Sequence, residues 1–182
     1  KTVEMFVQIS TSEVYGSAQY HPMDENHPTA PHSTYAVSKL AADRATFTLH
    51  KENGFPTIVL RPFNTYGPNF TEPYIIPEII TQIQNNTSNL TLGNTNSTRD
   101  FTYVTDVVAA FVKAAKSNLS GMIMNVGSSK TYRINQLVRL LGGDVVYIPK
   151  RPGEPDCTFA DVSRISDVLG WTAEVEFEDG VA

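Results

Sequence analysis

Three hydroxyl side chains and a carboxylate follow directly after an apolar run near the start of the chain. The run ends at Ile9, and the polar residues are Ser10, Thr11, Ser12 and Glu13. An apolar, β-branched and aromatic run predicts a buried strand. Open α/β sheets bind their ligands at the carboxyl ends of strands, so this position favours a functional site. Glu13 taken alone is also compatible with a surface charge at a strand end.

A second pair of residues, Tyr35 and Lys39, lies four positions apart at the start of a segment with helical spacing. Such residues share one face of a helix. An ammonium group beside a phenol favours the phenolate, and a positive charge on a cofactor would add to this, so the spacing predicts a lowered tyrosine pKa. That tyrosine could take a proton from a sugar hydroxyl near neutral pH. Taken alone, such a pair is more often part of a solvated helix face.

Two further motifs supply context for this pair. R-P-F-N-T-Y-G-P occupies positions 61–68, and T-R-D-F-T-Y-V-T-D-V occupies 98–107. Together with S-T-S-E-V-Y-G and Y-A-V-S-K, they resemble the extended short-chain dehydrogenase/reductase family, in its nucleotide-sugar-modifying branch. The resemblance runs from about Val3 to Val181. It is strongest to the N-acetylglucosamine 4,6-dehydratases of legionaminic-acid biosynthesis.

The resemblance implies oxidation of a nucleotide-linked hexose at C4 by hydride transfer to NAD. It makes Tyr35 the base for the 4-hydroxyl, with Lys39 at the nicotinamide ribose and Thr11 hydrogen-bonded to the same hydroxyl. Glu13 would remove the C5 proton, and loss of the 6-hydroxyl would then give a 4-keto-6-deoxy sugar. Many glucose 4,6-dehydratases have Asp-Glu here, with Asp as the acid for the leaving hydroxyl. Ser12 is a poor acid, so a water, Glu13 or Tyr35 could serve instead.

The same resemblance implies the binding residues. Those at the cofactor are Ser10, Tyr35, Lys39, Pro62 and Phe63. At the substrate, Asn64 would contact the diphosphate or the sugar, while Arg99 and Arg151 would bind the nucleotide, because a guanidinium fork suits phosphate oxygens. Asp100 is expected to cap or pair rather than to react.

Several functions remain open at this point. Nucleotide-sugar decarboxylases also carry T-S-E, whereas simple 4-epimerases usually lack the glutamate. A noncatalytic nucleotide-sugar-binding fragment is an alternative of another class. A purely structural subunit would require all the motif residues to be coincidental. The sequence does not decide the nucleotide base, the exact sugar, or NAD against NADP.

Composition narrows the class of protein. The 182 residues carry a net charge of −5, which argues against broad nucleic-acid binding. The single cysteine, Cys157, excludes an internal disulfide framework, and no metal site is predicted. No apolar run is long enough to span a membrane, and no signal peptide opens the chain, so we expect a cytoplasmic protein.

The glycine-rich turn that holds the cofactor pyrophosphate in this family has no counterpart in the chain, since neither G-x-G-x-x-G nor G-x-x-G-x-x-G occurs. We therefore expect the carboxyl-terminal part of an enzyme, inactive alone, whose partner is the missing amino-terminal half. The predicted fold is α/β: part of a Rossmann-like parallel sheet (1–66 and 99–127) plus a small substrate-binding lobe (67–98 and 128–182). The resemblance also implies a homodimer through the helix that begins at Tyr35.

The elements that must position these residues follow from hydrophobic periodicity and from glycine and proline signals. The predicted strands are 3–9, 57–60, 90–92, 122–126 and 145–148. The predicted helices are 35–53, 74–85, 105–117, 134–141 and 163–169. Thr105 is expected as the N-cap of its helix. Within 35–53 an apolar stripe consists of Ala36, Leu40, Ala41, Ala45 and Leu49.

Overall fold

The computed structural model describes residues 3–69, 74–85, 90–93, 96–142, 145–147 and 156–182. Arg151 lies outside these ranges. The strands of the described part are β1 (Phe6–Ile9), β2 (Thr57–Pro62), β3 (Asn64–Tyr66), β4 (Leu90–Leu92), β5 (Thr98–Arg99), β6 (Phe101–Tyr103), β7 (Met122–Val126), β8 (Tyr132–Arg133) and β9 (Val145–Tyr147). Its helices are α1 (Thr34–Asn53), α2 (Ile75–Gln84), α3 (Val104–Lys116), α4 (Ile134–Leu140), α5 (Ser163–Leu169) and α6 (Phe177–Val181), with a 3₁₀ helix at Ser12–Tyr15.

The central layer is a parallel three-stranded sheet in the order β1-β2-β7. Phe6 pairs with Thr57 across β1 and β2, and Ile58 pairs with Met122 across β2 and β7. Helix α1 connects β1 to β2, as parallel neighbours require a crossover. The first five residues of β2 are fully buried, which suits a strand covered on both faces. The prediction of an α/β fold is confirmed.

The remaining strands form three short pairs beyond this sheet. β3 runs parallel to β6, β4 runs parallel to β9, and β5 runs antiparallel to β8. One hydrophobic core lies under the main sheet and consists of Ile58, Leu60, Val107, Ala110, Ala114, Met124, Val126, Ile165 and Trp171. A second core joins the outer elements and consists of Tyr66, Ile76, Ile79, Leu90, Leu92, Phe101, Ile134, Leu137, Val138 and Phe177.

Helix α1 has well-defined ends but an unexpected surface. Ser33 caps it by accepting a hydrogen bond from the Ala36 backbone N–H at 3.1 Å, and Gly54 ends it in the left-handed region. Its fully buried residues are only Ala36, Asp43 and Thr46. The predicted apolar stripe is therefore mostly exposed, with Leu49 at 40%.

Two other details of the prediction need correction. Thr105 is not the N-cap of α3, because the helix already begins at Val104 and its N-cap is Tyr103. The strand predicted at 57–60 is longer than expected, because β2 continues through Arg61, whose side chain is fully buried, to Pro62. None of the helices in the described residues is long and apolar enough to cross a membrane.

Candidate active site

A cavity of about 830 Å³ opens where β1 and β2 end. The predicted site residues that line it are Ser10, Thr11, Ser12, Glu13, Tyr35, Lys39, Pro62, Phe63, Asn64 and Arg99. Helix α2 supplies much of the opposite wall, including Tyr74 and Ile76. The structure thus brings together residues that are up to 89 positions apart in the chain, from Ser10 to Arg99. A volume of this size suits a small-molecule ligand.

The 3₁₀ helix after β1 presents the serine and the carboxylate. Thr11 is its N-cap, and its hydroxyl accepts a hydrogen bond from the Glu13 backbone N–H at 3.2 Å. Gly16 ends it with a φ of 69°, and a Cβ at this residue would collide with the backbone carbonyl oxygen of Ala30. Only glycine suits both requirements. The turn therefore fixes the direction in which Ser12 and Glu13 project.

Tyr35 and Lys39 lie on the first turns of α1, facing the end of β1. The Thr11 hydroxyl faces the Tyr35 phenol closely enough to lower its pKa. Lys39 Nζ donates to the Ile9 carbonyl oxygen at 3.0 Å and lies 5.8 Å from the centroid of the Tyr35 ring. The predicted sharing of one helix face is thus confirmed by the contacts of both side chains with the same strand end.

The pKa of Tyr35 is raised above its ordinary value in this structure. Partial burial is the largest cause; the Thr11 hydroxyl lowers the pKa, while the charges of Glu13 and Tyr74 raise it. The lowered pKa predicted from the lysine spacing is therefore not found in the chain alone. An additional positive charge beside the phenol would shift the pKa downward.

Glu13 is exposed to the cavity rather than engaged in an ion pair within the described residues. Its Oε2 accepts a hydrogen bond from Ser33 Oγ at 3.4 Å. Because Ser33 also caps α1, this contact links the carboxylate to the helix that carries Tyr35. A carboxylate in this state can accept a proton from a molecule held in the cavity.

Asn64 and Arg99 line the cavity from β3 and β5. Asn64 Oδ1 accepts a hydrogen bond from Thr158 Oγ1 at 2.9 Å, which fixes the amide. Arg99 is largely buried, and its Nη1 donates to the Thr98 carbonyl oxygen at 2.9 Å. A guanidinium that is held in this way and still borders the cavity is suited to bind an anionic group.

Asp100 is fully buried and ties together the loops around these two residues. Its carboxylate accepts hydrogen bonds from the backbone N–H groups of Ser128, Ser129 and Ala160, at 2.7, 3.2 and 3.1 Å. Burial raises the pKa of Asp100 to about 6, and these donors oppose the rise. The expectation that Asp100 caps or pairs agrees with these contacts.

Tyr74 is a cavity residue that the sequence did not single out. It was included at the start of an apolar helix, whereas the structure places it as the N-cap of α2, half exposed and near enough to Tyr35 to affect its pKa. The signal available in the sequence is a phenol directly before a run of isoleucines, which a core-packing interpretation does not explain.

The residues near α1 fit the nicotinamide end of a dinucleotide. Lys39 offers an ammonium group, and Ser10 Oγ is buried with no hydrogen-bond partner in the described residues. Pro62 and Phe63 form an apolar wall beside them. A polar atom left unsatisfied at a cavity wall is suited to a ligand that supplies the missing partner.

Comparisons with known proteins agree with this geometry. A family profile described as GDP-mannose 4,6 dehydratase matches residues 1–182. The human dTDP-D-glucose 4,6-dehydratase is 32% identical over 98% of this chain and 55% of its own length. The chain therefore spans about half the length of the curated relatives it matches.

Solved structures of the same kind superpose closely. The dTDP-glucose 4,6-dehydratase from Bacillus anthracis str. Ames, in complex with NAD, gives a TM-score of 0.87 at 29% identity, over 96% of this chain and 58% of that chain. The UDP-N-acetylglucosamine 4-epimerase from Methanobrevibacter ruminantium M1, in complex with UDP-N-acetylmuramic acid, gives a TM-score of 0.88 at 29% identity. The match covers 98% of this chain and 60% of that chain. The likeness includes both dehydratases and epimerases.

Proposed function

Because the chain belongs to the GDP-mannose 4,6-dehydratase family, we propose that it forms the catalytic and substrate-binding part of an NAD-dependent nucleotide-sugar 4,6-dehydratase. The observation that carries the proposal is the free carboxylate of Glu13 at the same cavity edge as Tyr35 and Thr11. A dehydratase needs a base at C5 in addition to the base at C4. These two groups fill both roles.

The chemistry follows from the positions of these side chains. NAD, when bound, would supply the acceptor for the C4 hydride and its return to C6. Tyr35 takes the proton of the 4-hydroxyl, with Thr11 orienting that hydroxyl. Glu13 then removes the C5 proton, which the neighbouring 4-ketone makes acidic, and the C6–O bond breaks as the 6-hydroxyl leaves as water, with a proton from Glu13, Tyr35 or a water molecule. Arg99 and Asn64 hold the diphosphate end. Arg151, which lies outside the described residues, is assigned to the nucleotide on the sequence resemblance alone.

The proposal also covers the substrate, the biological role, the domain limits and the oligomeric state. We infer UDP- or GDP-N-acetylglucosamine as the substrate and bacterial surface-sugar synthesis as the role, on the resemblance of the T-S-E-V-Y-G segment and its neighbours. Residues 1–66 and 99–127 would belong to the cofactor domain, and 67–98 and 128–182 to the substrate lobe. Apolar residues of α1 such as Val37 and Leu49 are exposed, and we infer that a second copy of the protein covers them in a homodimer. We also infer that the enzyme is cytoplasmic.

The test uses the full-length native protein with UDP-N-acetylglucosamine and NAD in heavy water. A dehydratase gives a 4-keto-6-deoxy product that carries deuterium at C5, because the proton removed by Glu13 exchanges with solvent. The product is analysed by NMR and mass spectrometry, and GDP-N-acetylglucosamine is run in parallel. Turnover of neither substrate to a C5-labelled keto sugar would contradict the proposal.

A 4-epimerase is the second candidate, favoured by the likeness to the Methanobrevibacter enzyme. Epimerisation needs only the base at C4, and C5 keeps its own hydrogen throughout. The same heavy-water experiment therefore separates the two functions. Recovery of C4-epimerised sugar without deuterium at C5 would identify the epimerase.

Replacing Arg99 by alanine is expected to weaken substrate binding more than it slows the chemical step. A charge-assisted hydrogen bond contributes about 1.5–3 kcal/mol, so the Kd for UDP should rise about 10- to 100-fold. Calorimetric titration with UDP measures this directly. Arg139→Ala, on α4 and outside the cavity lining, is the matched control. An unchanged Kd for Arg99→Ala would contradict its assignment to the diphosphate.

The 182-residue chain by itself is expected to bind NAD no more tightly than a Kd of about 1 mM. The pyrophosphate site of this fold is a glycine-rich turn at a helix N-terminus, and the sequence contains no such turn. Ser10, Lys39 and Pro62 would contact only the nicotinamide end. Calorimetry with NAD tests this, with UDP as the positive control, since Asn64 and Arg99 lie within the chain. Micromolar affinity for NAD would overturn the expectation.

A further inference from the structure

A buried ion pair joins α1 to the central sheet. Asp43 Oδ2 accepts a hydrogen bond from Arg61 Nε at 2.9 Å, and both side chains are completely inaccessible to solvent. Asp43 follows Lys39 by one helical turn and Tyr35 by two, so the three side chains share a face of the helix. Neither Asp43 nor Arg61 lines the cavity, so neither is available to a substrate.

The same arginine also contacts the segment that carries the carboxylate. The guanidinium carbon of Arg61 lies 4.8 Å from the centroid of the Tyr15 ring. Tyr15 is the last residue of the 3₁₀ helix that begins at Ser12. Its hydroxyl donates to Asn125 Oδ1 at 2.6 Å, and Asn125 is the partner of Arg61 in the pairing of β2 with β7. The guanidinium, carried by β2, therefore contacts two other elements: α1 through Asp43 and the 3₁₀ helix through Tyr15.

Stability alone does not explain this arrangement. Asp43 Oδ1 and both Nη atoms of Arg61 are buried without a hydrogen-bond partner in the described part of the chain. Unsatisfied polar atoms of this kind are costly, and apolar residues of similar volume in place of a buried ion pair often leave stability unchanged or increase it. Burial raises the pKa of Tyr15 to about 12, so this ring is a neutral phenol beside the cation.

Helix α1 has few other anchors. Of its twenty residues, only Ala36, Asp43 and Thr46 are fully buried. Alanine and threonine pack with little directional preference, whereas the bond from Arg61 Nε to Asp43 has a defined direction and length. The contacts of Tyr35 with Thr11 and of Lys39 with the Ile9 carbonyl depend on the same helix position.

We propose that Asp43, Arg61 and Tyr15, here named the Arg61 cluster, are positioning residues that hold the Tyr35 face of α1 in register with the segment carrying Glu13. The inference rests on the proposed function, because the roles of Tyr35 and Glu13 belong to it. The Arg61 cluster itself does not touch the substrate. It sets the distance between the base at C4 and the base at C5.

The test replaces both charged members by apolar residues of similar size, Asp43→Leu with Arg61→Met, in the full-length native protein. A single substitution would leave one buried charge unpaired and risks preventing folding. We expect the thermal unfolding temperature of the double variant to equal or exceed that of the wild type. A displacement of the reacting groups by about 1 Å can lower a rate about 100-fold, and we expect a loss of kcat of that order. KM should change little, since neither residue lines the cavity.

A second readout does not require turnover. Tyrosine labelled with ¹³C at Cζ reports the protonation of Tyr35 by NMR, with Tyr35→Phe assigning its signal. We expect the midpoint of its titration to rise in the double variant, because Thr11, which lowers the pKa of Tyr35, would no longer be held beside the phenol. If the wild type makes no keto-deoxy sugar, the proposed function fails, while this titration still decides the positioning role.

The matched control is the exposed ion pair between Lys130 and Glu176, whose side chains lie 2.6 Å apart. Lys130→Met with Glu176→Gln should leave kcat and the Tyr35 titration unchanged, since exposed pairs contribute little. A folded Asp43→Leu/Arg61→Met variant with the wild-type kcat and the wild-type titration would overturn the inference. A loss of kcat that is matched in the Lys130/Glu176 variant would do the same.

Discussion

Replacing Tyr35 by phenylalanine is expected to lower kcat about 10³-fold or more, with nucleotide-sugar binding nearly intact, because general acid–base groups contribute about 10²- to 10⁴-fold. The substitution removes one oxygen atom and keeps the ring. The substitution changes neither Thr11 nor Lys39, and it leaves Arg99, which lines the cavity from β5, untouched. The loss should therefore affect kcat rather than the Kd for the substrate.

The measurement pairs steady-state kinetics with calorimetric binding of the nucleotide sugar to the full-length protein. Tyr20→Phe is the control: it removes a phenol oxygen that bonds Asp24 Oδ1 at 2.6 Å and lies outside the cavity lining. The control should keep the wild-type kcat. If Tyr35→Phe loses binding by the same factor as it loses rate, the tyrosine is an anchor rather than a base.

The raised pKa of Tyr35 adds a condition to this role. In the chain alone, burial and the Glu13 charge raise the pKa of the phenol further above neutral pH. A positively charged nicotinamide ring beside Tyr35 would oppose both effects. The phenol should then act as a base only when the cofactor is present in its oxidised form. This coupling would prevent the chain from deprotonating sugars that it cannot oxidise.

Local sequence patterns were sufficient to predict the strands of the main sheet and to identify the family. The strands at Leu90–Leu92 and Met122–Val126 and the helix at Ser163–Leu169 have the predicted bounds. The resemblance to nucleotide-sugar-modifying enzymes is confirmed by the family match. The short strands β3, β5, β6 and β8 were not predicted, because each lies within or beside a motif or a predicted helix whose local pattern does not indicate a strand. Their pairing is non-local, as between Asn64–Tyr66 and Phe101–Tyr103.

In the candidate site, too, the sequence predicted some features, while contacts between distant residues were not predicted. Motif spacing and the family resemblance predicted ten of the residues that line the cavity but not Tyr74, and the individual roles of those ten remain predictions. It did not predict the contact of Asp43 with Arg61, which are 18 positions apart and each unremarkable in sequence. The burial that raises the Tyr35 pKa is likewise a property of the packed structure. The role of Arg151 also stays a prediction, since it lies outside the described residues.

Replacing Glu13 by glutamine is expected to separate the two halves of the proposed reaction. Glutamine has nearly the same shape and can still accept a hydrogen bond from Ser33, but it cannot take up a proton at neutral pH. Oxidation at C4 requires Tyr35 and Lys39 and should continue. Removal of the C5 proton should slow about 10²- to 10⁴-fold, which is the usual contribution of a general base.

The experiment follows both steps in one reaction of the full-length protein in heavy water. Formation of the 4-keto sugar is measured by its absorbance and by trapping, and deuterium at C5 is measured by NMR. Glu52→Gln, an exposed residue of α1 that does not line the cavity, is the control and should incorporate deuterium at the wild-type rate. The expected pattern for Glu13→Gln is a 4-keto sugar without deuterium at C5, since its base is missing. Deuterium entering C5 at the wild-type rate would show that another group removes this proton, and the assignment of Glu13 would then fail while that of Tyr35 stood.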